Sequence, residues 1–385
     1  MKKAKDFSTA TLLTQAGRTP HEHYGFVNTP IYRGSTVLFK NVDDFIHKRN
    51  RFEYGRRGNP NSESLNEAWR EISGAAGAVS VSSGLAAVSL ALLSCLKAGD
   101  HILVTDSVYQ PTRRLCDDLL THYGIETTYY DPVIGAGIEK LFKANTKVVY
   151  TESPGSLTFE VQDIPAISKV AHARNALVLM DNTWATPLFF AAHKHGVDIC
   201  IEAGTKYLVG HSDALIGMIS ANEKAWPLVN EAYGLLGMCS APDDMFLSLR
   251  GLRTMGVRLK HQEKAALNIA TWLAGRPEVA RVLHPALPSC PGHEIWKRDF
   301  SGSSGLFGIE LKEASQKAVA AMVDGLSLFG IGVSWGGYES LIIPFDCCFR
   351  SKAPCKTPCL RLQVGLEDEK DLIADLEAGL ARLNA

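Results

Sequence analysis

At 385 residues, with 21% charged and 46% hydrophobic side chains, the chain is long enough for two or three packed units around a large core. A formal net charge of −1 and a pI near 6.9 exclude the broad basic field that nucleic acid demands. The longest apolar run, Leu85 to Leu96, is broken by serines, and the N-terminus MKKAKDFSTATLLTQAGRTP lacks an apolar signal core, so neither a membrane span nor export is expected and the location reads as cytoplasmic.

Residues 1–60 show no strong periodicity and are rich in Gly, Asn, Pro and Arg, which predicts an arm. From Ala78 onward short β-branched runs alternate with helical stretches. Strands are predicted at Val79–Ser82, His101–Thr105, Thr127–Tyr130, Lys147–Thr151, Ala176–Met180 and Val197–Ile201. Helices are predicted at Leu85–Lys97, Pro111–His122 and Ile164–Arg174. Such alternation implies βαβ units, hence an α/β fold with a mostly parallel central sheet flanked by helices. After Arg250 the pattern changes to a long amphipathic stretch, Leu252–Ala274, then a strand at Gly305–Leu311 and a helix at Ser315–Phe329. A short strand around Val333, strands at Leu341–Pro344 and Leu360–Val364, and a final helix Glu367–Leu383 complete it. The expected division is an arm over 1–60, a larger α/β domain over 61–250 and a smaller α/β domain over 251–385.

Ligands of open α/β sheets bind at the carboxyl ends of the strands, so the residues that follow strands matter most. Asp181 ends ALVLMD, Lys206 follows VDICIEAGT, Tyr109 lies four residues after HILVT, and Gly84 follows VSVSS and opens a helix. A carboxylate, an amine, an aromatic ring and a helix N-terminus together meet the needs of pyridoxal phosphate, which takes a lysine for its aldehyde and an acidic partner for its ring nitrogen. Singly, each residue has a plainer reading. Asp181 could cap the next turn, Lys206 could snorkel from a strand end, and Ser83-Gly84-Leu85 could be an ordinary βα turn. The loop Tyr54-Gly55-Arg56-Arg57 could be a solvated charged turn or a phosphate contact. In LRLQVG, Arg361 alternates with leucines and faces away from the apolar side, as a surface arginine or a carboxylate ligand.

Nine cysteines is an odd count, and Cys95, Cys116 and Cys200 sit in apolar segments as reduced core thiols. Cys347, Cys348, Cys355 and Cys359 form a denser group. Two adjacent cysteines and a long gap are not the usual paired spacing of a zinc site, so reduced loop thiols are favoured and no metal is expected.

Taken in order, YGRRGNP, SSGLAA, VYQPT, ESPGSLTFEVQDIPAI, DNTWATP, AGTKYLVGHSD, SWGGYESL and RLQVGLED resemble the Cys/Met-metabolism family of pyridoxal-phosphate enzymes of fold type I, from about Thr11 to the C-terminal helix. The resemblance implies pyridoxal 5'-phosphate as cofactor, Lys206 as Schiff-base lysine, Asp181 as partner of the pyridine nitrogen and Tyr109 stacked on the ring. It implies phosphate contacts from Ser83, Gly84, Leu85, Gly204 and Thr205, and from Tyr54 and Arg56 reaching a neighbouring subunit. Ser334 and Arg361 would hold the carboxylate of a small amino-acid substrate, beside Trp335. A homo-oligomer follows, at least a dimer with shared sites. Trp335 in SWGG, Trp184 in DNTW and SPGSLT at 153–158 look like the β-eliminating branch. The γ-acting relatives, or a β-lyase of cysteine and its conjugates, are the alternatives. The four-cysteine group is no motif of that family.

Overall fold

The computed structural model describes residues 7–346, 350–351, 355 and 357–384. Seven strands build the larger sheet: β1 (Gly77–Val81), β2 (His101–Thr105), β3 (Glu126–Tyr130), β4 (Thr146–Glu152), β5 (Leu177–Asp181), β6 (Ile199–Glu202) and β7 (Gly217–Ala221), in the order β1-β7-β6-β5-β4-β2-β3. The pairs β2–β3, β2–β4, β4–β5 and β5–β6 are parallel. Strand β7 runs antiparallel to both its neighbours, β1 and β6. Strands β1, β2, β6 and β7 are buried at every position, as expected where helices cover both faces. Because β1 points the same way as β2, β4, β5 and β6, all five carboxyl ends share one edge.

Local sequence sets the helix starts. Asn59 caps the helix Pro60–Ser73 in a capping box with Ser62, and Pro60 occupies the first turn, where its missing N–H costs nothing. Ser83 caps the helix Gly84–Cys95, its Oγ accepting from Ala86 N at 3.1 Å. The helix expected over 111–122 is instead an α-helix, Gln110–Arg114, followed by a π-helical stretch, Leu115–Leu120.

The second sheet is wholly antiparallel: β8 (Val279–Leu283), β9 (Leu306–Leu311), β10 (Leu341–Phe345) and β11 (Cys359–Gln363), ordered β10-β11-β9-β8. Neither β7 nor β8 was expected, since GMISA and VARVL are too short and mixed to stand out. The predicted strand at Val333 is absent: Val333 is 87% exposed in an irregular loop. The helix before this sheet is continuous from Pro242 to Ala274 and therefore runs through position 250. Its inner face carries Leu252, Met255, Leu259, Ala266, Ile269 and Leu273, all buried, so one helix lines the cores of both sheets. Among the described residues no helix is long and apolar enough to cross a membrane.

Candidate active site

Three carboxylates cluster at the shared strand edge. Glu152 ends β4, Asp181 ends β5 and Glu202 ends β6, with Glu152 in register beside Asp181. Sequence reasoning found Asp181 and missed the other two, although VVYTE and DICIE carry the same strand-end signal as ALVLMD. Burial, and then the charge of Asp181, push both glutamates well above the usual carboxylate range. Asp181 is raised by burial too, and its hydrogen bonds from Thr183 and the charge of Lys206 work against that rise. Thr183 donates to Asp181 Oδ1 from its N (2.9 Å) and from its Oγ1 (2.5 Å), and Thr183 Oγ1 accepts from Ala203 N at 2.9 Å. The aspartate is thus pinned through one oxygen. Among the described residues no donor bonds the other.

Lys206 lies in the turn after β6. Its amine donates to Ser334 Oγ at 2.7 Å and lies 5.1 Å from the Trp335 ring centre. Burial, then the charge of Arg361, bring the Lys206 pKa from its usual 10.5 down to about 8, against the pull of Asp181. About a tenth of the amine is therefore neutral near pH 7. The close approach of Ser334-Trp335-Gly336 depends on Gly336, whose φ is +86°. A Cβ there would meet Lys206 backbone atoms at 3.0 Å. Trp335 leans on Tyr207, with ring centres 5.5 Å apart.

Arg361 is not on a solvent face. Strand β11 is buried at every position, so the polar side of its alternation faces the site. Its Nη1 donates to Val333 O (3.1 Å) and its Nη2 to Gly332 O (3.0 Å) and Ser334 O (2.8 Å). Nε is buried and has no hydrogen-bond partner among the described residues. Arg361 thereby holds the loop that reaches Lys206 and still offers a donor to an incoming anion. Tyr109 opens the helix Gln110–Arg114, and its N–H donates to Glu152 Oε2 at 2.7 Å. Burial, then Glu152 and Asp181, raise its phenol pKa, while Arg361 lowers it, which places all four groups in one field.

The helix Gly84–Cys95 aims its N-terminus at the same edge, and a Cβ on Gly84 would come within 2.6 Å of Ala203 Cβ. The N–H groups of Gly84 and Leu85 have no preceding-turn carbonyl, which suits them to phosphate. Thr205 Oγ1 is already committed to the backbone of Ile216, accepting from its N (3.0 Å) and donating to its O (3.2 Å). Tyr54 and Arg56 stand apart. They line a cleft with Tyr32, Arg33, Cys239 and Ser240, and Arg56 Nη1 donates to Gly234 O at 2.9 Å. Trp184 is buried against Phe300 and donates to Leu306 O at 2.8 Å, so it ties the end of β5 to β9 of the second sheet.

A half-buried amine of lowered pKa, a half-buried aspartate with one oxygen to spare and a helix N-terminus at one sheet edge define the site of an aldehyde cofactor bearing a pyridine nitrogen and a phosphate. The chain belongs to the Cys/Met metabolism PLP-dependent enzyme family, whose model matches residues 10–381. A protein of Rhizobium johnstonii named as a candidate cystathionine β-lyase is 53% identical, covering 97% of this chain and 96% of its own length. The cystathionine β-lyase MetC of Escherichia coli is 44% identical over 97% of this chain and 98% of its own. Among solved structures, the cystathionine γ-synthase of Xanthomonas oryzae pv. oryzae in complex with aminoacrylate and cysteine has a TM-score of 0.92 at 31% identity, covering 98% of this chain and 99% of that one. The shared fold therefore does not distinguish β- from γ-chemistry. The cofactor is pyridoxal phosphate, as in its family, and the residues present fit it.

Proposed function

We propose that this chain is a cystathionine β-lyase, converting cystathionine and water to homocysteine, pyruvate and ammonia. The observation that carries this reading is the Lys206 amine, held 2.7 Å from Ser334 Oγ beneath Trp335, on the sheet edge that carries Asp181. Lys206 would hold the cofactor through its aldehyde, Asp181 through the ring nitrogen, Tyr109 by stacking, and Ser83, Gly84, Leu85, Gly204 and Thr205 around the phosphate. Both the Thr205 N–H, which donates to Ile216 O at 3.0 Å, and its hydroxyl bond the Ile216 backbone here, so Thr205 would reach the phosphate by exchanging one of these bonds.

Bound there, pyridoxal phosphate supplies an electron sink for the electrons left at Cα. The chain supplies orientation and proton transfer. Arg361 Nε and Ser334 Oγ would grip the substrate carboxylate, fixing the Cα–H toward Lys206 Nζ. The neutral Nζ takes that proton. The departing thiolate collects a proton from Lys206 Nζ or from the Tyr109 hydroxyl, which stays protonated at neutral pH because its pKa is raised. The remaining three-carbon fragment takes up water, giving pyruvate and ammonia. Trp335 narrows the pocket beside the carboxylate, and its buried ring area fixes one pose. Cleavage on the homocysteine side of the substrate needs a further proton transfer at Cβ, which demands a second orientation.

Product analysis with cystathionine tests the reading. Homocysteine and pyruvate in equal amounts are expected. Predominance of cysteine and 2-oxobutyrate would assign the chain to the γ-acting branch.

The working unit is proposed to be a homodimer or a dimer of dimers in the cytoplasm, with residues 1–60 as an arm, 61–250 as the cofactor-binding unit and 251–385 as the smaller unit. Tyr54 and Arg56 would then complete the partner's phosphate site. Supporting this, the arm exposes a run of apolar side chains, including Tyr24 (97%), Leu38 (86%) and Phe45 (63%), which a second copy could bury. Mixing inactive Arg56→Ala and Lys206→Ala chains should restore activity, since one site of each hybrid dimer is intact. Random pairing gives about a quarter of the wild-type rate. No recovery after verified exchange of chains would remove the shared site.

A further inference from the structure

Four cysteines between 347 and 359 have no part in this chemistry. Cys347 and Cys348 lie outside the described residues, but Cys355 and Cys359 do not. Cys359 opens β11 and is buried, while Cys355 is half-buried four positions earlier. Three intervening residues fall within the two-to-four spacing of paired zinc ligands, a pairing hidden in the sequence by the adjacent cysteines upstream. The β9–β11 register sets Cys359 opposite Glu310, and the β8–β9 register sets Arg281 beside that same glutamate. As a result the two sulfurs and a carboxylate oxygen of Glu310 all lie within 4.8 Å of one another.

The surroundings complete the picture. Arg281 Nη2 is 2.9 Å from Glu310 Oε2 and 3.9 Å from Cys355 Sγ. Thr357 donates to Glu310 Oε1 from N and Oγ1, each at 3.4 Å, and Cys359 Sγ donates to Thr357 O at 3.4 Å. Glu310 Oε2 is thus oriented by a guanidinium, and Oε1 faces the Thr357 donors at 3.4 Å. An outer hydrogen bond of this kind fixes a metal-ligating carboxylate. A disulfide between the two thiols would leave the convergence of Glu310 on them without a purpose.

We propose that Cys355, Cys359 and Glu310 form a binding site for a thiophilic divalent cation, with Zn²⁺ as the best match, separate from the Lys206 site. Binding displaces one proton from each thiol, forms two metal–sulfur bonds and one metal–oxygen bond, and leaves a fourth position to water; no electron transfer is involved. Donors on tetrahedral zinc sit roughly 3.3–3.8 Å apart, so the cluster must contract by about 1 Å. Rotation of the half-buried Cys355 side chain can supply that. The bound ion would anchor the end of a crossing whose other described residues reach the cofactor unit. Arg350 Nη1 donates to Glu160 Oε1 at 2.8 Å, and Ser351 N and Oγ donate to Asp106, three residues before Tyr109.

The test is a titration of reduced, metal-free holoenzyme with Zn²⁺ against a chromophoric chelator, repeated with Co²⁺ to look for a sulfur-to-cobalt charge-transfer band. One equivalent per chain and the cobalt band are expected. Affinity should fall as pH is lowered, because protons compete for both thiols. Glu310→Gln should weaken binding about 10–100-fold, and Cys355→Ser, at the less buried position, should abolish the band while the cofactor absorbance confirms a folded protein. Absence of uptake, or uptake equal in wild type, Cys355→Ser and Glu310→Gln, would overturn the site.

Discussion

Lys206→Ala is expected to lower turnover of cystathionine by at least about 10³-fold, because on the proposed roles the variant would lose both the group that holds the cofactor aldehyde and the base that takes the Cα proton. Solubility and fold should survive, since among the described residues the amine's one hydrogen bond is to Ser334, beside the Trp335 ring. Wild-type apoprotein offers a companion measurement. The Lys206 pKa is lowered to about 8 by burial and by Arg361, so the amine is charged below that pH and neutral above it. Only the neutral amine attacks an aldehyde. The rate of pyridoxal phosphate uptake should therefore climb about tenfold per pH step below 8 and level off above it, whereas an exposed lysine would keep climbing toward 10.5. Stopped-flow absorbance gives the profile. A rate still rising steeply at pH 9.5, or a variant that keeps a tenth of wild-type turnover, would remove Lys206 from its assigned role.

Asp181→Asn is expected to reduce kcat on the order of 10²–10³-fold while leaving the protein folded and cofactor bound. The asparagine carbonyl can still accept the Thr183 N–H and Oγ–H bonds that Asp181 Oδ1 accepts, so local structure is retained. What disappears is the negative charge. Burial disfavours that charge, and a protonated ring nitrogen held beside it would restore it by opposite-charge attraction. The neutral amide offers no such attraction, and the nitrogen loses its proton. Glu152 and Glu202 do not substitute. Burial, then the charge of Asp181, disfavours the charged form of each, and Glu152 is committed to the Tyr109 N–H. Steady-state rates with the cofactor spectrum as a control decide the matter. A kcat within threefold of wild type would show that Asp181 does not set the charge of the ring.

Much of the arrangement at the sheet edge was determined by the sequence alone. The βα alternation placed six strands of the larger sheet within about two residues, because a strand buried on both faces must be a short apolar run and a helix must follow it. The strand-end rule located Asp181 and Gly84, and through the following loops Tyr109 and Lys206, since parallel strands bring distant positions to one edge. Ordered motifs then named the family. Other features needed tertiary structure. The face Arg361 occupies followed from burial of both sides of β11, which alternation cannot reveal. Glu152 and Glu202 became part of the site only when β4, β5 and β6 lay side by side, for their isolation among apolar residues reads in sequence as a pair of ordinary strand ends. Gly336 over Lys206 joins positions 130 residues apart, and Glu310 beside Cys355 and Cys359 depends on antiparallel register. Such pairings are set by packing across the fold, and no local spacing encodes them.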